Sequence, residues 1–570
     1  MIDSMAKTVL RNVTIGDILE TINKKYGNKT ALRIKNDDGS FREISYVKLG
    51  RRVVSISSVL INLGIEKGDR VAILSENRPE WAAAYFGIMS CGGTILPVDV
   101  KLTDAEISFI LSDSQAKCIF VSGKYLDTID RLRGGLPRLK DVILLDNSPR
   151  PDIIQLNKLR PHRGKERGRQ IYPEDTAIIV YTSGTTGISK GVEITCKSLL
   201  FQALRFSEIL RCSPKERLLS VLPLNHMLEI TGGLVAPLYA GSCVTYCDTL
   251  KTNTLLPLMK ETGITAMIAV PLVLKLLHSG IMKKVARLHP FKQKIFGALL
   301  AVSTYLLKFN IRAGRLFFPS VHKEFGRRLH TFISGGAPLS ADVEIGLNAL
   351  GFRILQGYGL TETAPVISVN TYSDNKFGSV GKPMPGVEVK ILKERPSDTE
   401  GEILTRGPHV MKGYFRNPGK TAEVLKDGWF YTGDLGYIDE DGFLFISGRK
   451  KNLIILGGGK KVFPEEVEEV AGRSPYIKEI CVMARIAERG LRAGHEEVYA
   501  VVVPNLELFE RENITGDKAV KDKIYFEIAR LSKDLSPYKR IISFDISRES
   551  LPKTVTSKIK RDAVSGITAS

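Results

Sequence analysis

Ala177-Ile178-Ile179-Val180-Tyr181 runs without a break into Thr182-Ser183-Gly184-Thr185-Thr186-Gly187-Ile188-Ser189-Lys190-Gly191. The first five residues read as a buried strand, and the remaining ten form a loop of hydroxyls and glycines. Such a loop can aim backbone N–H groups, several side-chain hydroxyls and the Lys190 ammonium at a polyphosphate. The Walker spacing G-x-x-x-x-G-K-[ST] is absent, because Ser189 sits five places after Gly184 and no Gly-Lys-Ser/Thr comes after it. Read by itself, the run also suits an ordinary Ser/Gly turn.

The same alternation extends outward. Short apolar runs at Arg70–Leu74, Gly93–Val98, Cys118–Val121 and Val142–Leu145 precede it, and Arg217–Leu222, Ala266–Val270, Thr331–Ser334 and Arg353–Leu355 come after it. The pattern predicts an α/β fold with largely parallel sheets, each run leading to the turn-rich segment where such sheets bind ligands. Arg160 to Arg169 is basic with hardly an apolar residue and reads as an exposed connector. A β-rich region with Gly turns precedes Gly448-Arg449-Lys450-Lys451-Asn452, and a smaller α/β pattern succeeds it. We therefore expect a large domain over residues 1–450 and a small one over residues 451–570.

With 570 residues and 43% apolar content, the chain is long enough for two or three cores. Seven cysteines include one close pair, Cys243 and Cys247, without a second pair to complete a zinc site, so a reducing, cytoplasmic setting is expected. Asp3, Ser4, Lys7 and Thr8 stand where a secretory leader would carry its apolar stretch. The longest apolar candidate, Ile295 to Leu307, is closed off by Lys294 and Lys308, well short of the ~20 residues of a membrane span. Lys plus Arg outnumber Asp plus Glu by 82 to 62, and half of that excess lies between Ile281 and His330, where eleven Lys/Arg face Glu324 alone.

A second chemical motif is Gln356-Gly357-Tyr358-Gly359-Leu360-Thr361-Glu362-Thr363. Its glycines permit close backbone approach to a ligand, Tyr358 offers a flat face to a base, and Glu362 is a hard oxygen ligand suited to Mg²⁺. A turn capped by Thr361 is the structural alternative. Further on stand Ser334-Gly335-Gly336-Ala337-Pro338-Leu339, Tyr431-Thr432-Gly433-Asp434, Arg449, and Leu551-Pro552-Lys553-Thr554-Val555-Thr556-Ser557-Lys558.

Taken in order, these segments resemble the motifs of the adenylate-forming family of acyl-CoA synthetases, peptide-synthetase adenylation domains and luciferases. The resemblance spans nearly the whole chain to Lys560. It implies a large N-terminal domain of parallel-sheet α/β subdomains plus a β-rich subdomain, with a small mobile C-terminal α+β domain. It implies ATP, Mg²⁺ and coenzyme A as co-substrates and cofactors. The phosphate loop would be Thr182, Ser183, Gly184, Thr185, Thr186, Gly187 and Lys190. Gly335, Gly336 and Ala337 would frame the adenine with Gln356, Gly357, Tyr358 and Gly359. Thr361 and Glu362 would act at the phosphates, with Glu362 on the metal, and Asp434 and Arg449 at the ribose. His226, in Leu222-Pro223-Leu224-Asn225-His226-Met227, matches the family's histidine beside the carboxylate substrate; a lone His is otherwise more often structural. Lys558 matches the catalytic lysine, a cation placed for the α-phosphate, with Ser557 where the family has Gly. Lys451 matches the hinge, about which Lys558 is exchanged for Gly457-Gly458-Gly459 in the thiol-transfer half.

Asp427 to Gly436, with Gly448 to Lys451, is more similar to fatty acid:CoA ligases than to amino-acid adenylators, as is Val321 to Leu329. Phe430-Tyr431 stands where that family has Leu-His. Glu229-Ile230-Thr231-Gly232-Gly233-Leu234 is mostly apolar and suggests room for an acyl chain beside its two glycines. Each buried CH₂ contributes ~0.8 kcal/mol, so discrimination between neighbouring chain lengths would be soft. The resemblance thus implies a long-chain fatty acid:CoA ligase. An acyl carrier protein thiol is an alternative acceptor, and an inactive nucleotide-binding regulator is another alternative. No nucleic-acid module is visible. Ile281 to Phe318 reads either as an amphipathic helical hairpin at an anionic membrane surface or as a solvated cover.

Overall fold

The computed structural model describes residues 15–148, 150, 153–159, 170–182, 189–456, 460–487, 496–553 and 559–567. The chain divides into two compact units, Met1–Val389 with Thr405–Phe430 and Lys390–Leu404 with Tyr431–Ser570.

Two sheets build the first unit. One runs in the order Gly413–Tyr414, Lys190–Thr195, Thr176–Thr182, Thr94–Val98, Arg70–Leu74, Cys118–Val121, Asp141–Leu144, Ile154–Gln155. From Thr176–Thr182 onward every neighbouring pair is parallel. Val71 and Ile73 belong to one core cluster, Ala72 and Leu74 to another. Because successive side chains point to opposite faces, this strand feeds a core on each side of the sheet, and its apolar run is continuous for that reason.

The other sheet runs Lys382–Pro383, Val366–Val369, Arg353–Gly359, Thr331–Ser334, Ala266–Ala269, Arg217–Ser220, Cys243–Tyr246, Thr30–Lys35, Phe41–Ser45. Its central pairs are parallel. The run at Arg353 does not end in a turn at Leu355; the strand continues to Gly359, pairing in parallel with Thr331–Ser334 and then antiparallel with Val366–Val369. A Cβ on Gly359 would lie 1.9 Å from the Pro365 carbonyl oxygen, so this glycine is required by the neighbouring strand rather than by a ligand.

Trp429–Ile438 and Leu444–Arg449 form an antiparallel hairpin that places Asp434 opposite Arg449. Glu388–Leu392, Gly401–Arg406 and Leu425–Lys426 complete the five-stranded sheet of the β-rich piece. Further along, Ile477–Ile486, Glu496–Pro504 and Ser543–Ile546 form a three-stranded sheet, and Val467, Ile524 and Ile528 of the flanking helices pack on Ile480, Val482, Val498, Ala500 and Val502. The architecture is the α/β arrangement with a larger N-terminal and a smaller C-terminal part. Among the described residues no helix is long and apolar enough to cross a membrane.

Candidate active site

Parallel strands deliver their succeeding loops to one edge of a sheet, where ligands bind in open α/β folds. Arg217–Ser220 leads into the turn that carries His226. Asn77 brackets that turn: its Nδ2 donates to the Leu222 carbonyl at 2.6 Å and its Oδ1 accepts from the Leu224 N–H at 2.9 Å. Thr331–Ser334 leads into Gly335-Gly336-Ala337, where Gly336 adopts a left-handed φ of 86°. A Cβ on Gly335 would lie 3.1 Å from Leu228 Cδ2, so the His226 and Gly335 turns are neighbours. His226 Nε2 is closed off from solvent without a partner among the described residues. Burial holds this imidazole below its ordinary value, with Asp99 opposing and Lys101 reinforcing the shift. The ring is therefore neutral at neutral pH, with an unused hydrogen-bonding nitrogen.

The strand Thr176–Thr182 pairs with Lys190–Thr195 so that Thr182 stands opposite Lys190. Thr182 and Lys190 thus end the paired strands on either side of the hydroxyl loop, whose Ser183, Gly184, Thr185, Thr186 and Gly187 lie outside the described residues. The Lys190 ammonium sits 5.5 Å from the centre of the Tyr414 ring. The Tyr414 hydroxyl donates to Glu362 Oε1 at 3.0 Å. Burial first, and then the Glu362 carboxylate, push the Tyr414 phenol far above its ordinary value, so it remains a donor. Two expected residues, Lys190 and Glu362, therefore meet on a tyrosine that the local sequence pattern does not single out. The Tyr414 N–H donates to Thr421 Oγ1 at 2.9 Å, which fixes the residue at the end of its short strand.

Glu362 lies in a short turn, Thr361–Thr363, capped by Thr363 rather than Thr361: Thr363 Oγ1 accepts from the Leu360 N–H at 2.9 Å. Upstream, Gln356 Nε2 donates to Glu344 Oε2 at 2.7 Å, and the Gly378 N–H donates to the same oxygen at 2.9 Å. Burial pushes Glu344 up to about 7 against these two bonds. Gln356 is thereby pinned next to Ser334 in the parallel register, which places the Gly335 and Gly357 segments side by side.

The space expected beside Gly232 and Gly233 is taken. A Cβ on Gly233 would lie 2.4 Å from Glu229 Oε1, and one on Gly232 would lie 2.9 Å from Ile268 Cδ1 and from Phe206 Cε1. These glycines admit packing neighbours, including a buried carboxyl group, rather than an acyl chain. Burial pushes Glu229 up to about 8, with the Ser220 hydroxyl opposing. Glu229–Val235 is a π-helical segment directly after the His226 turn, a distortion often found at functional sites.

In the second unit, Arg449 Nε meets Asp434 Oδ1 at 2.9 Å, so the two expected ribose residues form one ion pair. Lys451 is held below the ordinary lysine range by partial burial, with Asp562 opposing. Lys558 and Gly457, Gly458 and Gly459 lie outside the described residues. The ends of the Lys558 segment are fixed: Lys553 bridges Ile559, and the Lys560 N–H donates to the Pro552 carbonyl at 2.8 Å. Arg561 donates to Glu468 at 2.6 and 2.8 Å, and Glu468 and Glu465 hold its guanidinium above its usual range despite burial.

No cluster of three or more His, Cys, Asp or Glu suited to a metal occurs among the described residues. Mg²⁺ needs none when it travels on a polyphosphate, because one or two carboxylates then suffice. Glu362 fits that role, with Oε1 oriented by Tyr414 and Oε2 without a hydrogen bond from a described residue.

Residues 19–415 match the family model of the AMP-binding enzyme. The chain is 31% identical over 466 residues to the long-chain-fatty-acid–CoA ligase FadD15 of Mycobacterium bovis, spanning 78% of this chain and 76% of that protein. It is 27% identical over 631 residues to the chloroplastic long-chain-fatty-acid–[acyl-carrier-protein] ligase AEE15 of Arabidopsis thaliana, spanning 96% and 85%. The crystal structure of the anthranilate CoA ligase AuaEII in complex with anthranoyl-AMP has the same fold, with a TM-score of 0.80 over 99% of both chains at 23% identity. The chain therefore belongs to the AMP-binding enzyme family, and its activity is that of an adenylate-forming acid–thiol ligase.

Proposed function

We propose that the chain activates a long-chain fatty acid as its acyl-AMP and passes the acyl group to coenzyme A. The convergence of Lys190 and Glu362 on Tyr414, where the strand Lys190–Thr195 begins, carries the adenylation half of this reading. The likeness to FadD15 supports the acid and the acceptor.

In the first half-reaction a carboxylate oxygen bonds to the α-phosphorus of ATP, and the bond from that phosphorus to the bridging oxygen breaks to release pyrophosphate. We assign pyrophosphate to Thr185, Thr186 and Lys190. His226 offers its unused nitrogen to the acid carboxylate, and its neutrality avoids trapping the substrate as an ion pair. Gly335, Gly336, Ala337 and the Gln356–Gly359 strand frame the adenine, and Asp434 accepts from the ribose hydroxyls beside Arg449. Lys558 places positive charge where charge builds on the α-phosphate, a pre-oriented electrostatic contribution. Mg²⁺, held by Glu362 and the phosphates, would supply charge neutralisation. In the second half the thiol sulfur bonds to the acyl carbon and AMP leaves. Lys451 is the hinge we assign between the two halves, with Gly457-Gly458-Gly459 serving the second.

AEE15 supports a second reading, transfer to the phosphopantetheine thiol of an acyl carrier protein. Thioester formation measured over a panel of acids of graded length, with coenzyme A and with holo acyl carrier protein, separates the two. Coenzyme A thioesters formed best from long acids support the proposal; a preference for aryl or short acids, or for the carrier protein, defeats it.

A further inference from the structure

Pro290–Leu307 is a helix with two apolar faces. Inward, Phe296 packs on Phe318 with ring centres 4.8 Å apart, and the Ser303 hydroxyl donates to the Ala349 carbonyl at 2.7 Å. Outward, Phe291 is 65% exposed, Val302 50% and Tyr305 59%, with Ile295 between them. These positions recur at helical spacing and form one stripe along the solvent side. Beyond the helix the Phe309 ring lies 5.4 Å from that of Tyr305, centre to centre, and Ile311 and Leu316 are exposed as well, Leu316 to 81%. A helix that merely covers a soluble domain turns polar residues outward. The amphipathic hairpin expected from sequence is thus corrected: Pro271–Ala286 and Pro290–Leu307 are its two arms, but the outer face of the second is greasy, and its charges sit at the ends.

Those charges are all of one sign. Lys283, Lys284 and Arg287 close the first arm, Lys292 and Lys294 open the second, and Lys308 ends it. The helix has no acidic residue in its first turn, so Lys292 and Lys294 lie at the end where the backbone dipole disfavours cations. Glu324 is shared by Lys260 and Lys284. Among the described residues no carboxylate lies within ion-pair distance of Lys283, Arg287, Lys292, Lys294 or Lys308. An external anionic surface would relieve that unfavourable placement.

We propose that this helix docks an anionic phospholipid bilayer. It lies in the plane of the interface, with Phe291, Ile295, Val302 and Tyr305 among the acyl chains and the flanking cations on lipid phosphates. The choice of bilayer over an acidic protein rests on the arrangement: an exposed apolar stripe beside cations that no described carboxylate pairs suits acyl chains lying under anionic headgroups. The proposal stands whether the activated acid is long or short.

The test is co-sedimentation of the full chain with vesicles of phosphatidylcholine, alone or mixed with phosphatidylserine, at low and high salt. Two variants accompany it, V302S with Y305S and K292E with K294E, all at exposed positions. Binding should favour the mixed vesicles and weaken with salt, and each variant should lower the bound fraction about ten-fold. Thermal midpoint and acid-dependent exchange of pyrophosphate into ATP, measured without vesicles, should match the parent chain. Three results would each overturn the proposal: no sedimentation with mixed vesicles, equal binding to neutral ones, or variants that bind as well as the parent. Concentration-dependent self-association abolished by V302S with Y305S, without vesicle binding, would reassign the face to a second copy of the chain.

Discussion

Replacing Tyr414 by phenylalanine removes a single hydroxyl, the donor that orients Glu362 at 3.0 Å, and leaves the ring under the Lys190 ammonium. The expected outcome is a fall of about ten-fold in pyrophosphate exchange with little change in thermal midpoint, against about a hundred-fold or more for Glu362→Gln. Since the Tyr414 phenol is raised, no new inflection should enter the pH–rate profile above neutrality. Glu229 makes a different prediction. Its carboxyl is raised to about 8 in the fold against an ordinary value of 4.5, so between these values the folded chain holds a proton that the unfolded chain has lost. Stability must therefore fall as pH rises through that window, by up to ~1.4 kcal/mol per unit, and level off above it. Urea unfolding at the two ends of the window should show a smaller difference for Glu229→Gln than for the parent; a residual fall is expected from Glu344, raised in the same direction. Lys190 and Glu362 stand out in the sequence by residue type and nearby glycines, whereas His226 is picked out by the family resemblance alone. Tyr414 and Asn77 are not legible there, since each acts through contacts with distant segments that no local pattern encodes.

Strand partners decide what the glycines do. Gly359→Ala drives a Cβ into the Pro365 carbonyl and should cost roughly 1–3 kcal/mol or more. Gly336→Ala meets open space and bears mainly its left-handed φ, about 1 kcal/mol. Denaturant midpoints that rank the two the other way would refute the assignment of Gly359 to strand pairing. The parallel strands themselves are legible as unbroken apolar runs, because both faces are buried. The extension of Arg353–Gly359 is hidden by its own glycines, which read locally as a turn until the antiparallel neighbour is seen. Gly232 and Gly233 mislead for the same reason: a missing side chain records that something comes close, not whether it is ligand or protein.

At the scale of the molecule, the proposed function assigns the two half-reactions to different residues, with Lys558 serving only the first. Lys558→Ala should abolish adenylation while sparing thioester formation from supplied acyl-AMP; equal loss of both halves would contradict a lysine that serves only the first. The central claim is narrower still: this chain joins a carboxylic acid to AMP before any thiol is needed. Exchange of labelled pyrophosphate into ATP, measured without coenzyme A over a panel of fatty acids, tests it most directly. Exchange should require both ATP and a fatty acid, rise toward long chains and persist in the absence of thiol. Exchange that no carboxylic acid provokes, or that appears only when coenzyme A is present, would contradict the claim.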